Sequence, residues 1–186
     1  MTILALDTAS HKSGYAIYQD GEIITSGSIR LKGKGETDTE RTQSRVIDLS
    51  HKVGNLINKY GVVQVVAEDI HYSDKTHSAF NVLGTCRGAI WVINDISGLP
   101  PVATVNPLQA KAQMWGYNGS RQAHREMKRS KQKALMCRAV EKLGYTLNHD
   151  RNGNPDNDQA DAIGLLITYL KAHKYTITHP NANTAQ

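Results

Sequence analysis

The sequence predicts an α/β fold, a mixed five-stranded sheet whose first three strands are antiparallel, flanked by helices. Three observations predict it. The first thirty residues hold three short apolar or β-branched runs, and Asp20-Gly21, a hairpin dipeptide, joins the second to the third. Beyond them, β-branched runs at 62–67 and 102–105 alternate with stretches of helical periodicity, an order that implies parallel crossovers. With 186 residues, 39% of them hydrophobic and 21% charged, the chain can close one core and hardly two. A single domain over 1–172 is therefore expected, with a polar, frayed tail over 173–186.

Each element has its own signal. The run 3–6 is apolar, ends at Asp7 and turns at Thr8-Ala9-Ser10. Strands follow at 13–18 and 23–29, and the polar stretch 32–42 reads as a loop. Val46, Leu49, Val53, Leu56, Ile57 and Tyr60 recur at helical spacing, so 40–60 is an amphipathic helix stopped by Gly61. The run 62–67 is a fourth strand, closed by Glu68. Helix 78–96 ends before Gly98-Leu99-Pro100-Pro101, the fifth strand is 102–105, and Asn106-Pro107 opens a short helix to Trp115. A polar loop precedes a helix at 130–143. The Asn- and Asp-rich stretch 148–157 leads into a last helix at 158–171, carrying Ile163, Leu166, Ile167 and Leu170.

Several function classes are not expected. No apolar run approaches the roughly 18–20 residues of a membrane span. The first residues lack a basic segment and meet a carboxylate at Asp7, unlike a secretory signal. Cys86 and Cys137 stand 51 positions apart without a C-x-x-C partner, which fits neither a disulfide framework nor a zinc knuckle. The histidines show no metal-ligand spacing. An intracellular, cytoplasmic protein is expected.

Charge is concentrated. Twenty-two Lys and Arg against 17 Asp and Glu give +5 overall. From Arg121 to Lys142, eight basic residues (Arg121, Arg125, Lys128, Arg129, Lys131, Lys133, Arg138, Lys142) face two acidic ones, Glu126 and Glu141. That segment carries +6 and the remainder −1, the footprint of a polyanion binder. A solvated helix face explains such a run equally well on its own, so a second feature has to decide.

The carboxylates supply it. Asp7 and Glu68 each end a strand, where open α/β sheets place their ligand crevice. Asp158 and Asp161, three residues apart, project from one face of the last helix. Asp158 also suits a helix N-cap and Asp7 a turn cap, without any chemistry. Glu68 fits such a role less well, because it ends an apolar strand next to the core. Four converging carboxylates repel unless a cation neutralises them, and hard oxygen ligands favour Mg²⁺ or Mn²⁺. Two such ions about 4 Å apart activate water on one side of a phosphodiester and stabilise the leaving oxygen on the other. An acidic metal cluster beside a basic flank is the specification of a nuclease.

The chain resembles the RuvC-type Holliday junction resolvases, which have an RNase H-like fold, over roughly residues 1–171. The matching pieces are Leu4-Ala5-Leu6-Asp7, Ser13-Gly14-Tyr15-Ala16-Ile17, Val66-Ala67-Glu68 and Asp158-Gln159-Ala160-Asp161-Ala162. The resemblance implies that Asp7, Glu68, Asp158 and Asp161 are the catalytic, metal-binding carboxylates. It implies Lys111 and Lys131 as basic residues near the scissile phosphate, and His71 or Tyr72 as the group that stacks on opened bases. It further implies two Mg²⁺ ions with Mn²⁺ as a substitute, 5′-phosphate products, branched DNA and above all four-way junctions as substrate, and a homodimer joined through helix 78–96. Arg121, Arg125, Lys128, Arg129, Lys131 and Lys133 would face the DNA. Asp7-Thr8-Ala9 departs from the family's Asp-Pro-Gly, and 117–129 resembles an insertion. These departures suggest a distant, viral or phage-type branch.

Three other readings compete. Less selective cutting of flaps, forks or three-way junctions uses the same chemistry. A non-catalytic junction binder has no reason to keep four acids. An actin/hexokinase-like ATPase explains residues 1–29, but predicts glycine-rich phosphate loops that the sequence lacks and leaves Asp161 and the basic segment idle.

Overall fold

The computed structural model describes residues 1–69, 77–116 and 127–180, with backbone alone for 77–80 and Arg129. Three strands open the chain: β1 (Thr2–Asp7), β2 (Lys12–Gln19) and β3 (Glu22–Arg30). Asp20 and Gly21 both take positive φ, 48° and 106°, and so make the tight turn between β2 and β3. Helix α1 (Asp38–Tyr60) leads to β4 (Gln64–Glu68), and α2 (His77–Ile96) leads to β5 (Ala103–Val105). Helices α3 (Pro107–Trp115), α4 (Arg129–Lys142) and α5 (Asn157–Ala172) complete the chain. The strand order is β3-β2-β1-β4-β5. β1 pairs antiparallel with β2 and parallel with β4, and β4 pairs parallel with β5.

The alternation of side chains along each strand builds two cores. Ile3 and Ala5 of β1, Ala16 of β2 and Val66 of β4 face α3, α4 and α5. Leu4 and Leu6, Ile17 and Val65 face α1 and α2 on the other side. Helix α5 is the centre of the first layer. Eleven of its sixteen residues are buried, so it is apolar almost all round, as a helix enclosed by other elements must be. Ile163, Leu166, Ile167 and Leu170 are fully buried, each contributing about 1.5–3 kcal/mol of hydrophobic stabilisation. This three-layer arrangement is the RNase H-like fold expected above. Among the described residues, no helix is long and apolar enough to cross a membrane.

Three local expectations are corrected. Helix α1 begins at Asp38, inside the expected loop, because Thr37 and Glu40 form a capping box in which each side chain serves the other's backbone N–H. The cap of α5 is Asp156 rather than Asp158: its carboxylate accepts the N–H of Asp158 and of Gln159. Residues 173–180 do not fray. Tyr175 and Ile177 pack on the first core, the Tyr18 hydroxyl donates to the Thr176 carbonyl at 2.9 Å, and the Thr178 N–H donates to Gly21 at 2.7 Å. Alternating Tyr175 and Ile177 with polar residues gives this segment one apolar face, too short to register as a strand.

Candidate active site

Sheet register places the first two carboxylates. Leu6 of β1 lies opposite Ala67 of the parallel strand β4, so Asp7 and Glu68 leave the sheet side by side at its carboxyl edge. Alternation then fixes their face. Asp7 follows Ile3 and Ala5, and Glu68 follows Val66, all on the side covered by α3, α4 and α5. Asp158 and Asp161 occupy the first turns of α5 on that same side. All four line one cavity of about 710 Å³, together with Thr8, Lys111, Lys128, Gln132 and Lys133.

The fit of β2 against α5 sets this geometry. Gly14 pairs with Asp7 across the β1–β2 ladder and lies beneath the backbone of Asp158. Only a residue without Cβ allows that approach. Asp156 then ties the first turn of α5 to the sheet. Its carboxylate caps the helix, accepts from the Ser28 hydroxyl of β3 at 2.7 Å, and accepts from the Lys12 ammonium of β2 at 2.6 Å. Lys12 also reaches Asp158 Oδ2 at 3.1 Å. Burial pushes the Asp156 carboxyl up, but the bonds from Lys12, Ser28 and the helix N–H groups outweigh it and hold its pKa below the usual range.

The electrostatics are those of crowded acids. Burial, then the charges of Asp161, Glu68 and Asp158, push the Asp7 pKa well above the usual carboxylate range. Side-chain hydrogen bonding with Glu68 adds to that rise. Burial and the Glu68 charge push Asp161 up to about 7, against the opposing pull of Lys111 and Lys133. Among the described residues, no three His, Cys, Asp or Glu side chains meet as a ready-made metal cage. The donor set nevertheless fits hard divalent cations, because all four groups are oxygen donors and their charges crowd Asp7 and Asp161. A cation in the cavity relieves the same repulsion that a proton relieves.

The basic residues divide. Lys111, on α3, lines the cavity, and its ammonium donates to Gln132 Oε1 at 3.3 Å. Lys128 and Lys133 line it as well. Lys131 is exposed and is not among the lining residues. Helical geometry explains the difference: two positions along a helix turn a side chain by about 200°, so Lys131 and Lys133 point to opposite sides. His71, Tyr72, Arg121 and Arg125 lie outside the described residues, as does the side chain of Arg129.

Three neighbours were not singled out from the sequence. Lys12 and Asp156 had signals available, a lysine opening a strand beside the first acid and an acid two positions before Asp158. Arg87, within the apolar pattern of α2, gave none. Its guanidinium is buried, which lowers its pKa, and the charges of Asp69 and Glu68 oppose that loss. Among the described residues its Nε and Nη2 have no hydrogen-bond partner.

The comparisons with known proteins follow the same lines. The family model for crossover junction endodeoxyribonuclease RuvC matches residues 3–169. The chain is 31% identical over 180 residues to the crossover junction endodeoxyribonuclease RuvC of Helicobacter pylori, covering 93% of this chain and all of the relative. It is 25% identical over 173 residues to that of Akkermansia muciniphila, covering 91% and 90% of the two chains. Among solved structures, T. thermophilus RuvC in complex with Holliday junction substrate superposes with a TM-score of 0.66 at 14% identity, covering 94% of this chain and 96% of that one. The relatives matched by sequence are bacterial and do not indicate the viral or phage-type branch expected above. This chain belongs to the crossover junction endodeoxyribonuclease RuvC family, a family of hydrolases acting on DNA.

Proposed function

We propose that the protein cleaves four-way DNA junctions by divalent-metal-dependent hydrolysis at the cavity formed by Asp7, Glu68, Asp158 and Asp161. One observation carries the proposal: three separate elements deliver four carboxylates to one cavity that Lys111, Lys128 and Lys133 rim. The carboxylates would hold two Mg²⁺ ions, with Mn²⁺ as a substitute. Such ions supply an activated water and charge stabilisation at the leaving oxygen. The protein's own part is positional and electrostatic. Asp156 fixes the first turn of α5 and so the direction of Asp158 and Asp161. Lys111 and Lys133 offset negative charge at the scissile phosphate, a role the family resemblance implies for Lys111 and Lys131. Lys128 and the rest of the basic segment hold backbone phosphates, so binding weakens steeply with salt. Cleavage breaks the P–O3′ bond and leaves 5′-phosphate and 3′-hydroxyl ends.

Two such cavities are needed to cut a junction symmetrically, and a C₂ homodimer supplies them. Helix α2 supports this assignment by exposing Trp91, Val92 and Ile96, with Ile96 74% accessible. The test is a labelled synthetic four-way junction with Mg²⁺ or EDTA, beside linear duplex, flap and three-way substrates. Paired Mg²⁺-dependent nicks at symmetric positions in the four-way form alone are expected. Equal cutting of every branched form would assign a general structure-specific nuclease instead. Tight binding without cutting in Mg²⁺ or Mn²⁺ would rule the enzyme reading out.

A further inference from the structure

Lys12 pairs with a cavity carboxylate and lies outside the motifs that carry the family resemblance. It opens β2, and its Nζ lies 2.6 Å from Asp156 Oδ1 and 3.1 Å from Asp158 Oδ2. The two acids are not equivalent. Asp156 is already satisfied by the Ser28 hydroxyl and by two helix N–H groups, and it is not among the residues that line the main cavity. Asp158 lines that cavity with Asp7, Glu68 and Asp161. Lys12 also borders a second cavity of about 360 Å³, on the other side of the α5 N-terminus, shared with Arg30, His149 and Asp156. Its side chain is 29% exposed.

The geometry points to Lys12 as an exchangeable counter-ion of Asp158, a positioning residue that sets how much divalent metal the site requires. This rests on the reading of Asp158 as a metal ligand. In the resting protein the ammonium offsets the charge of Asp158 and holds its carboxylate against the cavity wall. A divalent ion binding at Asp158 has to displace that ammonium from Oδ2 or share the carboxylate with it. Displacement leaves no buried orphan charge, since Lys12 keeps Asp156 as a partner and has the second cavity to move into. The same lysine therefore lowers metal affinity and keeps Asp158 in place.

The two roles separate in experiment. Mn²⁺ binding would be read from the EPR signal of free Mn²⁺ for the wild type, Lys12→Met, Lys12→Arg and Asp158→Asn. Cleavage of a four-way junction would be measured against Mg²⁺ concentration in parallel. Removing one positive charge at this range should tighten Mn²⁺ binding about five- to tenfold in Lys12→Met. Half-saturating Mg²⁺ should fall by a similar factor, while the rate at saturating Mg²⁺ falls because Asp158 has lost its support. Lys12→Arg should restore both, and in Asp158→Asn the further change Lys12→Met should no longer alter Mn²⁺ affinity. Unchanged or weaker Mn²⁺ binding by a folded Lys12→Met protein would overturn the proposal. Lys12→Gln, which keeps a donor for Asp156, is expected to tighten Mn²⁺ in the same way and replaces Lys12→Met if that variant does not fold. A wild type that binds no Mn²⁺ and cuts nothing in Mg²⁺ would overturn the metal-site reading as well, and that result is distinct from a Lys12 effect that is missing in an active enzyme.

Discussion

A methyl group on Gly14 would lie 1.7 Å from the carbonyl oxygen of Asp158, so β2 and the first turn of α5 meet backbone to backbone. The contact aligns Asp158 with Asp7, which pairs with Gly14 on the neighbouring strand. Gly14→Ala must push α5 off the sheet, because the obstacle is main chain and cannot rotate aside. A loss of about 3 kcal/mol or more is expected in chemical denaturation. A variant within 1 kcal/mol of wild type would show that the helix does not sit this close.

The carboxylate cluster should work against folding in the absence of metal. Asp161 titrates near its ordinary value when unfolded but is pushed up to about 7 when folded, so its contribution to stability falls as pH rises from about 4 to about 7. Asp161→Asn removes that loss. In EDTA its melting temperature should match wild type near pH 4 and exceed it by several degrees at pH 8, at roughly 2–4 °C per kcal/mol for a domain of this size. Equal melting temperatures at pH 8 would contradict the crowding.

Lys133 and Lys131 should part company. Lys133→Ala, which removes a cation from the cavity, should slow cleavage about 10- to 100-fold at saturating DNA. Lys131→Ala should leave that rate within about threefold and at most shift the salt dependence of binding by about one unit of slope. The reverse ranking would restore the assignment made from sequence.

How much of this was legible in the sequence follows from what each signal encodes. Strand ends, helix stretches and the four acids were visible because period and chain order carry them: Asp7 and Glu68 end apolar runs, and Asp158 and Asp161 share a helical face. The choice between Lys131 and Lys133 was not, since it depends on which way α4 rolls against α3 and α5. The cap of α5 was ambiguous because Asp156 and Asp158 both suit a first turn, and only contact with Ser28 and Lys12 from other strands distinguishes them. The segment 173–180 looked idle because its partners, Tyr18 and Gly21, lie more than 150 positions upstream.

That segment should matter for stability. The Tyr175 ring packs beside Tyr18 and Tyr169, with ring centroids 6.4 Å apart in both pairs. Tyr175→Ala should cost about 2–4 kcal/mol, in the range of large-to-small core changes, and leave junction cleavage unchanged below the melting transition. A neutral effect would mean that the segment does not hold its place in solution.

In this division of labour the four carboxylates carry the hydrolysis, Lys111 and Lys133 assist it at the scissile phosphate, and the rest of the basic segment carries the binding. Asp7→Asn tests it most directly, with binding and cleavage of one labelled four-way junction measured on the same preparation. Cleavage below detection in Mg²⁺ is expected, with junction affinity equal to wild type or tighter, since one negative charge facing the DNA is gone. Retained cutting, or lost binding with the fold intact by circular dichroism, would contradict it.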